Sequence, residues 1–443
     1  MLELSYRKIL AVAVPLMFGT FVQSVVMLTD TAFVSELGTI QFNAVNNAGL
    51  IYFSLFMFSK GLADGSQILI ARKYGEENLS GISSIIIHTQ FLQIVLCAIL
   101  FTIFFFFSTY FIDAIVSSKA TGAEMVNFLQ YRSWGIFFAG MQVSLVAFFI
   151  GIGQTRIVLI TTLVMAFGNI FLDYALIFGN YGFPKMGLKG AALASSLAEL
   201  ISFIVILLYF IYSEKYKAFR NSLREKLNSV EIFQLTKISV PLMFQGFIAL
   251  FGWLIFFTLI EREMTAHDLE VSSVVRSIYF IAFIPIFGFG STTRTFVSNL
   301  VGQKKLHLIP MIQGKIIRLS LLSVLIICHG AILYPESFIP LIDANPAILE
   351  NTASVLRLVS GSILLFSVVT VHFNSVAALG KSNITFLIEV ASMIIYLVAC
   401  YLFIVTWRLE IYLVWWVEYI YFGTIGIFSY IYLIYHKRKY FNL

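Results

Sequence analysis

GLADGSQILIARKYGEEN occupies residues 61–78, and GFGSTTRTFVSNLVGQKK occupies residues 288–305. Each begins on a glycine, reaches a second glycine at Gly75 or Gly302, and closes on a polar turn, Glu76-Glu77-Asn78 or Gln303-Lys304-Lys305. The displacement of 227 residues returns where Gly153-Gln154-Thr155-Arg156 is followed by Gly380-Lys381-Ser382-Asn383. Pro15-Leu16-Met17-Phe18 reappears as Pro241-Leu242-Met243-Phe244, one residue out of step. The chain reads as one six-span unit written twice, a design common among polytopic membrane proteins.

Composition identifies the solvent. A soluble domain carries roughly a quarter charged residues, whereas this chain of 443 residues has 12% charged and 59% hydrophobic residues and a mean hydropathy of +0.91. Stretches of the ~20 apolar residues needed to cross a bilayer lie near 9–33, 46–70, 84–108, 130–150, 157–178, 189–212, 236–260, 272–298, 317–333, 353–376, 384–406 and 411–435. The fold class is therefore an all-α integral membrane protein with twelve transmembrane helices in two pseudo-symmetric six-helix lobes. Residues 1–212 form the first lobe, 213–236 a linker and 237–443 the second lobe. An even number of spans per copy gives both copies the same orientation.

The net charge of +6 reports topology rather than a nucleic-acid partner. Arg7, Lys8, Arg72, Lys73, Arg156, Lys215, Lys217, Arg220, Arg224, Lys226, Lys237, Lys304, Lys305, Lys381 and Lys437-Arg438-Lys439 fall on one side of the expected spans. The other side has Lys119, Lys185, Lys189, Arg262 and Arg408. The positive-inside rule makes the first side cytoplasmic, with both termini there. The connection from Ser213 to Thr236 holds Glu214-Lys215-Tyr216-Lys217 and Arg224-Glu225-Lys226, a charge pattern that suits a short amphipathic surface helix. Nothing after Arg7-Lys8 resembles a cleavage site, so the first span is expected to persist. Cys97, Cys328 and Cys400 lie inside apolar segments and read as packing residues. Trp407, Trp415 and Trp416 sit near outer helix ends, where indoles favour the interface. The histidines, His436 included, lack zinc-site spacing. No nucleophile elbow, phosphate loop or nucleotide fingerprint is present, so neither an enzyme nor an ATP-driven pump is expected.

A charge within a span costs on the order of 2.5–3.5 kcal/mol, so each needs a partner or a role. Asp30, Asp64, Asp173, Glu199 and Glu389 are the acids to weigh. Asp64 follows Lys60 by four residues, the spacing of an intrahelical ion pair. Glu389 lies close to the turn at Ser382-Asn383 and Glu418 close to a helix end, so interfacial solvation accounts for both. Asp30 and Asp173 come late in spans of equal direction and should share a depth, although Asp30 also lies within reach of the outer loop at Glu36. Asn169 precedes Asp173 by one helical turn, which puts amide and carboxylate on one face. Two buried acids beside an amide can bind a proton, or a small hard cation such as Na⁺ through oxygen ligands.

At these residues the chain resembles the multidrug and toxic compound extrusion (MATE) family of secondary transporters. The resemblance runs nearly end to end: twelve spans in two lobes, Pro15 and Asp30 on the first helix, Asn169 and Asp173 on the fifth, and glycine-punctuated turns after helices 2, 4, 8 and 10. It implies that Asp30 and Asp173 are ion-coupling carboxylates, Asn169 a ligand beside them, and Pro15 the point where the first helix bends. Tyr131 and Ser195 would complete the ion network. Members similar to the Na⁺-coupled bacterial branch carry a glutamate in helix 7, but Pro241 to Ile260 contains no acid. Adding 227 to Asn169 and Asp173 gives Tyr396 and Cys400. On this reading the second lobe lacks the carboxylate site, and the chain looks like the branch named for DNA-damage-inducible proteins (DinF).

The resemblance implies a secondary active multidrug exporter in a bacterial cytoplasmic membrane, working by alternating access as a monomer, with H⁺ favoured over Na⁺. Its partners would be membrane lipid and an amphiphilic small molecule, cationic compounds included, with no nucleic acid and no cofactor beyond the coupling ion. One inward charge is worth about 2.3 kcal/mol per 100 mV, enough for a roughly fifty-fold gradient of an uncharged substrate. The alternative is a lipid-linked saccharide flippase of the same superfamily, for which Arg276 and Arg294 would be the basic cavity residues. A membrane enzyme or sensor would need a catalytic constellation that the sequence does not display.

Overall fold

A computed structural model describes residues 2–116, 118–221, 227–342 and 345–435. The expectations placed on Arg224-Glu225-Lys226, His436 and Lys437-Arg438-Lys439 lie outside the described residues. No strand occurs among the described residues. The helices are α1 (Tyr6–Ser35), α2 (Thr39–Gly75), α3 (Leu79–Phe106), α4 (Ser108–Ile115), α5 (Lys119–Ser133), α6 (Gly135–Gly151), α7 (Arg156–Phe178) and α8 (Leu188–Tyr212). They continue with α9 (Lys217–Asn221), α10 (Ser229–Glu263), α11 (Ala266–Gly302), α12 (Ile309–Leu333), α13 (Leu349–Ala378), α14 (Ser382–Tyr401), α15 (Ile411–Val414) and α16 (Val417–Tyr435).

Ten of the described helical segments are long and apolar enough to cross a bilayer, and α5 with α6, bent by 50°, makes an eleventh. The 37 residues of α2 span about 55 Å at ~1.5 Å per residue. Asn46, Asn47, Lys60 and Asp64 make it too polar to count by composition, so its length supplies the twelfth passage. The fourth passage differs from its expected start near residue 130, because α5 begins at Lys119 and breaks at Trp134. Tyr131 therefore sits at the end of α5. Apolar side chains such as Met27, Leu28, Ile94 and Phe167 are exposed, which suits a chain whose solvent is lipid and whose helices satisfy their own backbone groups.

The 227-residue repeat extends to backbone angles. After α2, Asn78 N–H donates to Lys73 O at 3.0 Å; after α11, Lys305 N–H donates to Leu300 O at the same distance. The residue inside each turn is left-handed, Glu77 at φ 56° and Lys304 at φ 60°. Gly153 at φ 69° and Gly380 at φ 79° close α6 and α13, where the missing side chain makes that conformation inexpensive.

Two compact units divide the chain. One is Phe18–Met243, and the other combines Met1–Met17 with Phe244–Leu443. These boundaries differ from the expected 212 and 237, because the first half of α1 packs with the later unit and the first half of α10 with the earlier one. The Phe18–Met243 unit is built on Val34, Tyr52, Phe104, Leu129 and Ile177. The linker begins within it: Tyr216 is 1% exposed, edge-on to Phe148 and Phe149, while Glu214 and Lys217 face outward. That two-faced pattern is amphipathic. The other unit is built on Phe256, Leu356, Trp415 and Phe422.

Two tryptophan expectations separate here. Trp407 and Trp416 are exposed, but Trp415 is fully buried and its Nε1–H donates to Ser272 Oγ at 3.3 Å. It is a core residue rather than an interfacial anchor. Cys97, Cys328 and Cys400 are all buried free thiols, as their apolar settings indicate.

Candidate ion-coupling site

Within the Phe18–Met243 unit, α7 presents Phe167 and Phe171 outward, so the opposite face turns inward with Asn169 at 2% and Asp173 at 1% exposure. Asn169 Nδ2 donates to Ser195 Oγ of α8 at 3.4 Å. Asp30, near the end of α1, is partly exposed, but its carboxyl lies in hydrogen-bonding reach of the Asp173 carboxyl. The structure thus brings together Asp30, Asn169, Asp173 and Ser195.

Among the described residues, Asp30 Oδ1, both carboxylate oxygens of Asp173 and Asn169 Oδ1 are buried without a hydrogen-bond donor. Leaving such oxygens unsatisfied is costly. Two carboxylates cannot bond each other, since both only accept; one proton between them supplies the donor. The same four oxygens also offer a hard-cation ligand set.

Arg132 of α5 is the charge that the sequence reading missed. It lies within electrostatic range of Asp30 and Asp173, yet its guanidinium is committed elsewhere. Nη1 donates to Glu199 Oε2 of α8 at 2.7 Å and Nη2 to Oε1, and the group lies 4.3 Å from the centre of the Tyr52 ring. Gly135 leaves the room: a side chain there would meet Arg132 Nη1, Ser196 Oγ and Glu199 Oε2. The signal available in the sequence was an arginine next to Tyr131 within a span, with Glu199 as an unassigned acid in another. Glu199 neutralises Arg132, so among the described residues the two aspartates keep no counter-ion of their own.

Lys60 and Asp64 form the intrahelical pair at 2.9 Å. Tyr131 is not hydrogen-bonded to either aspartate among the described residues; Lys189 Nζ lies 5.5 Å from its ring centre. Pro15 is buried inside a continuous α1, within the unit formed by Met1–Met17 and Phe244–Leu443.

Glu389 and Glu418 require a correction. They are 3% and 1% exposed, so interfacial solvation does not account for them. Tyr421 Oη donates to Glu389, and Tyr279 and Tyr396 donate to Glu418 at 2.7 and 3.2 Å. Tyr396, the repeat counterpart of Asn169, is thus bonded to an acid after all, one contributed by α16.

Comparison with known proteins agrees with this architecture. The chain matches the family model described as MatE over residues 15–175 and again over 241–402. A probable multidrug resistance protein NorM of Thermotoga maritima is 27% identical over 78% of this chain and 74% of its own length. The probable multidrug resistance protein YoeA of Bacillus subtilis is 25% identical over 53% of this chain and 52% of its own. Several other curated relatives are likewise matched over about half their length. Among solved structures, an outward-facing multidrug resistance MATE transporter of the MOP superfamily superposes with a TM-score of 0.88 at 18% identity, covering 96% of this chain and 94% of that one. A MOP superfamily transporter from Pyrococcus furiosus, whose binding pocket is described as having reverse polarity, gives 0.87 at 17% over the same shares. With the family model matched in both halves at the repeat spacing, the chain belongs to the MatE family of membrane transporters.

Proposed function

We propose that this protein is a secondary active exporter of amphiphilic small molecules, cationic compounds among them, driven by a cation taken up at Asp30 and Asp173. The observation that carries the reading is the pair itself: two carboxyl groups in reach of each other, three of their oxygens and Asn169 Oδ1 without a donor among the described residues, and the nearby arginine already neutralised. We favour a proton over Na⁺, because one proton shared by the two carboxyl groups supplies the donor that both lack without the fuller set of oxygen ligands a hard cation takes. Asn169 and Ser195 position the site, Pro15 is the bending point of α1, and Tyr131 is a peripheral member. The relatives named for multidrug resistance support the cargo class. The reading places the protein in the cytoplasmic membrane as a monomer; its basic loops support an orientation with both termini inside, and its N-terminal coupling pair favours the DinF-like branch.

The basic residues that a saccharide flippase would use are engaged within their own unit. Arg294 Nη1 donates to Asn374 Oδ1 at 2.9 Å, and Arg276 lies 4.6 Å from the centre of the Phe257 ring. Proteoliposomes loaded with a fluorescent cationic dye test the assignment under separately imposed pH and Na⁺ gradients. Efflux driven by pH alone supports it; no efflux under either gradient, with translocation of a lipid-linked saccharide, supports the flippase.

A further inference from the structure

The unit formed by Met1–Met17 and Phe244–Leu443 holds a polar seam that the proposed function does not use. On α14, Glu389, Ser392 and Tyr396 follow one another at three- and four-residue steps, which puts them on one helix face. On α16, Glu418 and Tyr421 are likewise three apart. The two faces interlock: Tyr396 donates to Glu418, Tyr421 donates to Glu389, and the two tyrosine rings lie 5.1 Å apart between them. Two turns of α14, about 10 Å, separate the ends of the seam.

The environment of these acids differs in kind from that of Glu199. Glu199 is locked by an arginine, and a proton there would forfeit the ion pair. The groups facing Glu418 are Tyr279 of α11, Tyr396 and Cys400 of α14, Trp253 of α10 and Tyr421 of α16. Tyr421 is the group facing Glu389. No basic side chain is paired with either acid among the described residues. A tyrosine hydroxyl both donates and accepts, so each acid keeps its bond in either charge state. Between the two lies Ser392, fully buried, with an Oγ that has no hydrogen-bond partner among the described residues. Lone intramembrane acids of this kind are expensive and mark ion or proton paths.

We propose that Glu418 and Glu389 are a second proton-binding site of this transporter, loaded through Tyr396 and Tyr421 along the α14–α16 seam. Tyr396 passes its own O–H proton to Glu418 Oε1 while its oxygen takes a proton from bulk hydronium, which leaves as water; the re-formed hydroxyl then accepts the new Glu418 O–H. Only O–H bonds form and break, and the site gains one positive charge. The same exchange at Glu389 uses Tyr421. The assignment is independent of Asp30 and Asp173, and its test is read without transport.

Infrared difference spectra of the purified full-length protein in lipid, between acidic and alkaline buffer, report protonated carboxyl groups directly. The Asp30→Asn, Asp173→Asn background removes the bands of the other site. In that background Glu418→Gln should abolish one carbonyl band and Glu389→Gln another. Tyr396→Phe, which conserves volume, should shift the Glu418 band while keeping its intensity, and it serves where a glutamine variant fails to fold. If neither glutamate variant removes a band and Tyr396→Phe shifts none, the proposal is wrong. Loss of the bands on adding Na⁺ at constant pH would also overturn it, as a cation site rather than a proton site.

Discussion

Arg132 and Glu199 share two hydrogen bonds between α5 and α8, and each is less than 15% exposed. The pair lies beside Asp30 and Asp173 without joining them, which keeps a positive charge near the site from cancelling its negative ones. Breaking a buried pair strands a charge at a cost of about 3–5 kcal/mol, whereas apolar replacement of both partners is close to neutral. Glu199→Gln and Arg132→Met should therefore each lower thermal stability strongly. The double variant Arg132→Met, Glu199→Leu should be more stable than either, as read from melting curves in detergent. Additive losses would show that the pair is not a unit.

The 227-residue repeat of glycines has a packing cause. A side chain on Gly61 would run into the backbone of Leu242 and Met243, where α10 crosses α2, and one on Gly288 would run into Met17 of α1. Backbone cannot yield as a flexible side chain can. Gly61→Val should be more damaging than Gly288→Ala, whose methionine neighbour can move. Overpacking of this kind costs about 1–3 kcal/mol, and monodisperse yield on size exclusion measures the ranking.

Glu77 and Lys304 occupy left-handed turns that favour glycine. Glu77→Gly and Lys304→Gly should each stabilise by up to about 1 kcal/mol. A small rise in melting temperature for both is the expected result, and a fall for either would show that the side chain contributes more than the strain costs.

Lys60 and Asp64 form a partly exposed pair on one helix face. Such pairs contribute about 0.3–0.5 kcal/mol. Asp64→Asn should leave dye efflux within experimental scatter of the parent protein, which separates this structural acid from Asp30 and Asp173.

Spans, repeat and the Asn169–Asp173 face were legible in the sequence because periodicity and burial within one helix are local properties. Pairing between helices was not. Arg132 and Glu199 lie 67 residues apart, and no spacing rule joins them. Glu418 looked interfacial because it begins a helix, yet α11 and α14 close over it with Tyr279 and Tyr396. The repeat arithmetic correctly found Tyr396 opposite Asn169 but could not see that a third helix brings an acid to it. The unit boundaries at Met17 and Met243 escaped for a similar reason: α1 and α10 each read as one unbroken apolar span while serving two units.

The central claim is that Asp30 and Asp173 take up the driving proton. The most direct measurement is dye efflux from proteoliposomes under an imposed pH gradient, comparing the parent protein with Asp30→Asn and Asp173→Asn at equal reconstitution. Both variants should lose gradient-driven efflux while still binding dye in detergent. Efflux at the parent rate from either variant would contradict the account.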